Sequence, residues 1–348
     1  MKQNILFTCA GRRNYLIDHF KEALNGRGKI IAIDEQCYAP ALVDADISYV
    51  VPNIYHDNYI SILTDIVKKH AVTAIISLND LELPIISDNK DLFEKNGAKA
   101  IISNPTIIDI CFDKWKTFNF FKQLNFNVPK TYIDLNKAIT DIEKGKLKFP
   151  LVLKPRWGSS SINVNYPESL EELKLSYKLQ SINNRKKISN KNNLENIEYT
   201  VLIQEKLDGT EYGMDILNDF EGNYYGSFAK EKLMMRCGET DIAKSIINVQ
   251  FENLGKQISK VLKHVVTLDC DVFIVNDKLY ILELNPRFGG GYPFSHEAGI
   301  NIAAIYIEWL YENKDLSKFN KYKENITFSK CDRLVQNFAS VVAQIKDD

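Results

Sequence analysis

The first hundred residues alternate short apolar runs with stretches of helical periodicity, and this alternation constrains the fold more than any other feature. NILFTCAG is an apolar run closed by Gly11, after which Leu16, Phe20 and Leu24 recur at helical spacing. KIIAID, YAPALVDADISYVVP, the helical YISILTDIVKKH and the strand-like TAIISLND continue the pattern, and AKAIISNP closes it at Asn104-Pro105. Neighbouring parallel strands need a crossover, usually a helix, so the alternation predicts a parallel, doubly wound α/β lobe over residues 1–104.

Beyond Asn104 the pattern changes. DKWKTFNFFKQLN is amphipathic, and KFPLVLKPRWGSSSINVNY holds two strand-like runs around a Gly/Ser turn. YTVLIQEKL, EYGMDILN and a further strand follow one another across tight turns at Asp208-Gly209 and Glu221-Gly222, which predicts antiparallel pairing. Residues 181–197, SINNRKKISNKNNLENI, carry almost no large apolar groups and read as a mobile surface insertion. The tail, 313–348, is polar with one last apolar, helix-like run, NFASVVAQI.

Composition removes several function classes. With 44 basic and 45 acidic residues the net charge is about −1, which argues against nucleic acid or an anionic membrane as partner. The six cysteines are scattered, with neither zinc spacing nor a disulfide framework, and read as reduced thiols in a cytoplasm. No signal peptide or membrane anchor is expected.

The chemistry concentrates in DVFIVNDKLYILELNPRFGGG, residues 271–291. A hairpin with a three-residue loop at Asn276 to Lys278 sets Asp271 opposite Glu283, and period two puts Asn285 on the same face. Opposed like charges destabilise a strand pair unless something neutralises them, and two carboxylates with an amide oxygen suit Mg²⁺. A hairpin edge with a salt bridge to Arg287 is the plain alternative for Asp271 and Glu283 alone. Lys154, on an apolar strand before Gly158, Ser159, Ser160 and Ser161, adds an ammonium beside backbone N–H groups and hydroxyls that suit phosphates.

With these motifs in order, the chain resembles the ATP-grasp superfamily over nearly its whole length, and within it the carbamoyl-phosphate-synthase-like carboxylate–amine ligases. The resemblance implies a pre-ATP-grasp parallel lobe, then a two-lobed ATP-grasp fold with antiparallel sheets over 105–312, its lid at about 130–205. It makes Lys114 of DKWKT and Lys154 the phosphate-binding lysines, with Ser159, Ser160 and Ser161 beside them. It places Gln204, Glu205, Lys206 and Leu207 around adenine and Glu211 on the ribose. Asp271, Glu283 and Asn285 become the magnesium ligands, with Mn²⁺ as a substitute, and Arg287, Lys154 and Arg236 the catalytic charges. Asp269 stands where some relatives carry a catalytic arginine, which leaves that role to Arg287 or Arg236.

The implied reaction phosphorylates a small-molecule carboxylate with ATP and captures the acylphosphate with an amine; a homodimer is left open. A bicarbonate- or carbamate-phosphorylating enzyme and a catalytically silent nucleotide-binding module are the competing readings. His296 reads as structural before catalytic. Asp80 and Glu82 end a strand where open α/β sheets place ligands, and substrate contact and helix capping stand equal for them. Gly11-Arg12-Arg13 lacks GxGxxG and reads as a turn able to hold an anion.

Overall fold

The computed structural model describes residues 2–158, 162–188, 199–313, 315–336 and 343–344. The N-terminal lobe is the expected parallel sheet, in the order Ala343–Gln344, Ile47–Val50, Ile30–Asp34, Ile5–Thr8, Ala74–Ser77 and Lys99–Ala100. Its three central strands are buried residue by residue, as helices on both faces require. The strand order reverses between Ile5–Thr8 and Ala74–Ser77, and the loops leaving these two strands carry Arg13 and Asp80. Glu82 lies deeper and does not line the cleft described below. Its wholly buried carboxylate accepts from Thr8 Oγ1 at 2.6 Å, Ser77 Oγ at 2.5 Å and Tyr59 OH at 2.5 Å, and it makes no side-chain cap.

The C-terminal run departs from its helix-like reading. Ala343–Gln344 adds a strand beside Ile47–Val50, and the rest of NFASVVAQI lies outside the described residues. A short apolar run cannot be told from a strand by periodicity alone, and an open sheet edge offers unpaired backbone groups.

Asn104 caps helix Pro105–Phe112 by accepting from Ile107 N at 3.0 Å, which fixes the turn away from the first lobe. The main antiparallel sheet follows, in the order Lys278–Asn285, Thr267–Val275, Thr210–Asn218, Tyr224–Arg236, Glu239–Ile246 and Thr327–Ser329. A smaller one orders Thr131–Tyr132, Val201–Glu205 and Leu151–Pro155. The second strand-like run after the Gly/Ser turn shrinks to a bridge from Asn165 to Leu153.

Residues 181–188 are not a loop. They are the last turns of helix Leu170–Ile188, and 189–197 lie outside the described residues. Within this stretch Asn184 is buried and donates to Thr200 O at 3.1 Å, just before strand Val201–Glu205.

Helix Ile302–Leu310 returns to the first lobe. It is apolar nearly all round, and Ile302, Ile305 and Tyr306 join Phe7, Phe20 and Leu24 in one core. Among the described residues no helix is long and apolar enough to cross a membrane.

Candidate active site

The hairpin reaches the anticipated pairing by a different route. Asn276 and Asp277, at φ of 48° and 62°, make a two-residue turn, and Val275 pairs with Lys278. A one-residue bulge between Val272 and Asp271 then restores Asp271 opposite Glu283, with Asp269 opposite Asn285. The four side chains line one wall of a cleft of about 390 Å³ between the main and small sheets.

The facing wall begins at Asp113. Its carboxylate caps helix Lys114–Gln123 through Trp115 N at 3.0 Å, and Arg156 grips it with Nε at 2.8 Å and NH2 at 2.6 Å, both partners buried. This clamp sets Lys114 at the head of the helix, where Nζ donates to Gly158 O and stands 3.4 Å from Glu283. Removing one partner of a buried pair strands the other charge, so Arg156→Ala should lose about 3 kcal/mol of stability in a denaturant melt. An unchanged midpoint would show that the clamp is dispensable.

Lys154 lies within the small sheet and is almost wholly buried. Burial lowers its pKa to about 8, helped by Lys114 and opposed by Glu283, Asp271 and Glu211. Glu283 answers in kind: its burial would raise its pKa, but Lys114 and Lys154 bring it below the ordinary value. Lys154 is therefore mostly cationic at pH 7 and loses its charge as pH rises through about 8. If it meets phosphate, nucleotide affinity measured by calorimetry should fall above pH 8 in the parent, while Lys154→Ala binds weakly with no such fall. A parallel profile in both would remove Lys154 from that role.

Two lysines that sequence reasoning missed line the cleft from the main sheet, on the side of the carboxylates. Lys232 Nζ sits 2.7 Å from both Asp271 and Glu211, which raise its pKa against the effect of burial. Lys230 Nζ lies 2.7 Å from Asp215 and 3.2 Å from Ser295 Oγ, all three buried. The signal was present: Lys-x-Lys on one strand faces Glu211 and Asp215 on its neighbour. Arg13 also lines the cleft, beside Gly290.

Arg287 reaches the cleft from the end of the hairpin. Its NH2 donates to Asp80 at 2.6 Å and NH1 to Phe288 O at 3.0 Å, with Asp269 at 3.9 Å. Its buried Nε has no partner among the described residues. Asp80 thus holds an arginine rather than capping a helix.

Arg236 is the correction. It is half exposed, bonds Asp241 at 2.9 Å and Asp332 at 2.8 Å, and does not line the cleft. Beyond the bulged stretch of its strand the side chain points to acids at the surface. Gln204, Glu205, Lys206, Leu207 and Glu211 do line the cleft. Gln204 donates to Thr131 Oγ1 at 2.8 Å, and Glu205 accepts from Lys130 N at 2.7 Å. Ser159, Ser160 and Ser161 lie outside the described residues.

A cleft between two antiparallel sheets, where Lys114 and Lys154 face the carboxylates of the main sheet, agrees with a family match: the model described as ATP-grasp domain covers residues 111–291. The chain belongs to the ATP-grasp family. Residues 5–101 match the PylC-like N-terminal domain. The carbamoyl phosphate synthase large chain of Helicobacter pylori is 26% identical over 258 residues, 69% of this chain and 22% of the relative. This ATP-grasp chain thus spans about a fifth of the length of the synthase large chains it matches. The D-alanine–D-alanine ligase of Buchnera aphidicola is 31% identical over 202 residues, 51% of this chain and 59% of the relative. In fold, the L-amino acid ligase of Bacillus licheniformis superposes with a TM-score of 0.66 at 17% identity, covering 94% of this chain and 78% of the other.

Proposed function

We propose that this ATP-grasp chain joins a small carboxylate to an amine, with ATP converted to ADP and phosphate. The observation that carries the reading is the confrontation of Lys114 and Lys154 with Asp271 and Glu283 across one cleft, with Lys232 beside Asp271 on the main sheet. A carboxylate is inert toward amines, and loose phosphoryl transfer needs positive charge and positioning more than a protein nucleophile. The carboxylate oxygen takes the γ-phosphoryl group and ADP leaves; the amine then attacks the acyl carbon and phosphate leaves.

Asp271, Glu283 and Asn285 would hold Mg²⁺, or Mn²⁺ in its place, and the ion's contribution is to neutralise phosphate charge. The residues fit: the donors are all oxygen, and each carboxylate already draws an ammonium, Lys232 at 2.7 Å and Lys114 at 3.4 Å. Lys114 and Lys154 would meet phosphates, and Gln204 to Leu207 the base. Arg287 would stabilise the transferring group. The division at residue 104 and a lid at about 130–205 belong to the same proposal.

The test is an ADP-release screen of amino acids and small carboxylates, singly and in pairs. Release stimulated only by one carboxylate with one amine supports ligation. Stimulation by bicarbonate alone points to the carbamoyl-phosphate-like reaction, and nucleotide binding without turnover under any pair overturns both.

A further inference from the structure

Outside the cleft, two imidazoles and a carboxylate meet where the first lobe joins the ATP-grasp domain. His19 comes from helix Asn14–Leu24, and His296 and Glu297 from helix Tyr292–Glu297. One ligand atom from each lies within 4.8 Å of the others. The two rings are parallel, with centroids 3.5 Å apart, and His19 Nε2 stands 3.9 Å from Glu297 Oε1, too long for a hydrogen bond.

The bonding of His19 is incomplete for a group so buried, and His296 beside it is partly buried. His19 is 8% exposed, and its Nδ1 has no partner among the described residues. His296 has its Nδ1 fixed at 3.0 Å from Tyr292 OH, which in turn accepts from Ile302 N at 3.1 Å. With Nδ1 engaged by Tyr292, Nε2 is the nitrogen that His296 has left for a ligand.

We infer that His19, His296 and Glu297 form a second metal site, separate from the cleft, for a borderline divalent ion such as Zn²⁺. Two imidazoles and one carboxylate are the donor set of three-ligand zinc sites, which leave a fourth position for water, whereas Mg²⁺ prefers oxygen alone. Closing the set to the donor spacing of about 3.3 Å that 2.0–2.1 Å bonds imply takes a turn of His296 and of the exposed Glu297 out of the stack. His19 can stay where the core holds it. The ion would tie the helix that follows Arg13 to the helix that follows Gly289 to Gly291, so its binding would stiffen the join between the lobes.

Calorimetric titration with Zn²⁺ in excess Mg²⁺ tests the site without turnover. The parent should bind one equivalent, with a rise in melting temperature, and Co²⁺ in its place should give the intense visible absorption of a four-coordinate site. His296→Gln and Glu297→Gln, both outside the core, should each weaken Zn²⁺ at least tenfold, and Glu283→Gln should leave it unchanged. No Zn²⁺ binding by the parent, parent-like binding by both the His296→Gln and Glu297→Gln variants, or loss in Glu283→Gln alone would each overturn the site.

Discussion

Glu283→Gln should fold and show no measurable turnover. The side chain stands where the carboxylate wall meets Lys114 and Lys154, and the two ammoniums keep it ionised despite burial. Glutamine preserves the shape but removes the charge and leaves one acceptor oxygen, so both the proposed Mg²⁺ set and the partner of Lys114 are broken at once. The loss should be on the order of a thousandfold or more, at the upper end of what one preorganised electrostatic contact supplies. ADP release with the identified substrate pair measures it, and circular dichroism checks the fold. Turnover that needs no Mg²⁺, or a fully active Glu283→Gln, would sink the assignment.

Arg287→Ala should keep ATP affinity within a few-fold and lower turnover by on the order of a hundredfold. An interaction made mainly in the transition state changes kcat and spares ground-state binding. Asp80 and Phe288 O already fix two arms of the guanidinium, while Nε has no partner among the described residues, so the group is pre-positioned with hydrogen-bonding capacity in reserve. Arg287→Lys should recover only part of the rate, since an ammonium lacks the planar fork. Asp80→Asn should fall between parent and Arg287→Ala, because it loosens the arginine without removing it. Calorimetry with nucleotide beside steady-state ADP release separates the outcomes. Normal turnover, or affinity falling in step with rate, would move the role to Lys230 on the same cleft.

Much of this was legible in the sequence because local rules and tertiary structure agree. The parallel lobe follows from apolar runs and crossover helices, and Asp271 opposite Glu283 follows from hairpin geometry. Even there the agreement was indirect: the short turn shifts the register by one residue and the bulge shifts it back. What the sequence hid were contacts between distant segments. Arg287 meets Asp80 across 207 positions, and nothing near either residue announces the other. Lys230 and Lys232 were passed over because a lysine on a strand usually faces solvent, and only the acids of the neighbouring strand draw these inward. Arg236 misled for the opposite reason: an arginine near a turn looks available until Asp241 and Asp332 are seen to hold it. Residues 181–188 were read by composition, which cannot reveal that an asparagine amide will find a buried carbonyl at the foot of the next strand.

The return of helix Ile302–Leu310 to the first lobe bears on how the chain is made. The parallel sheet is complete but for one edge pair by residue 100, yet part of its core arrives with Ile302, Ile305 and Tyr306. At synthesis rates of about 5–20 residues per second, those side chains leave the ribosome roughly 10–40 seconds after the last of the central strands. Through that interval Phe20 and Leu24 have no helix to cover them, so the nascent lobe presents a greasy face to the cytosolic machinery of whatever cell translates it. A chaperone that binds apolar surface should engage nascent chains stalled before residue 300 and release those stalled after the helix has emerged.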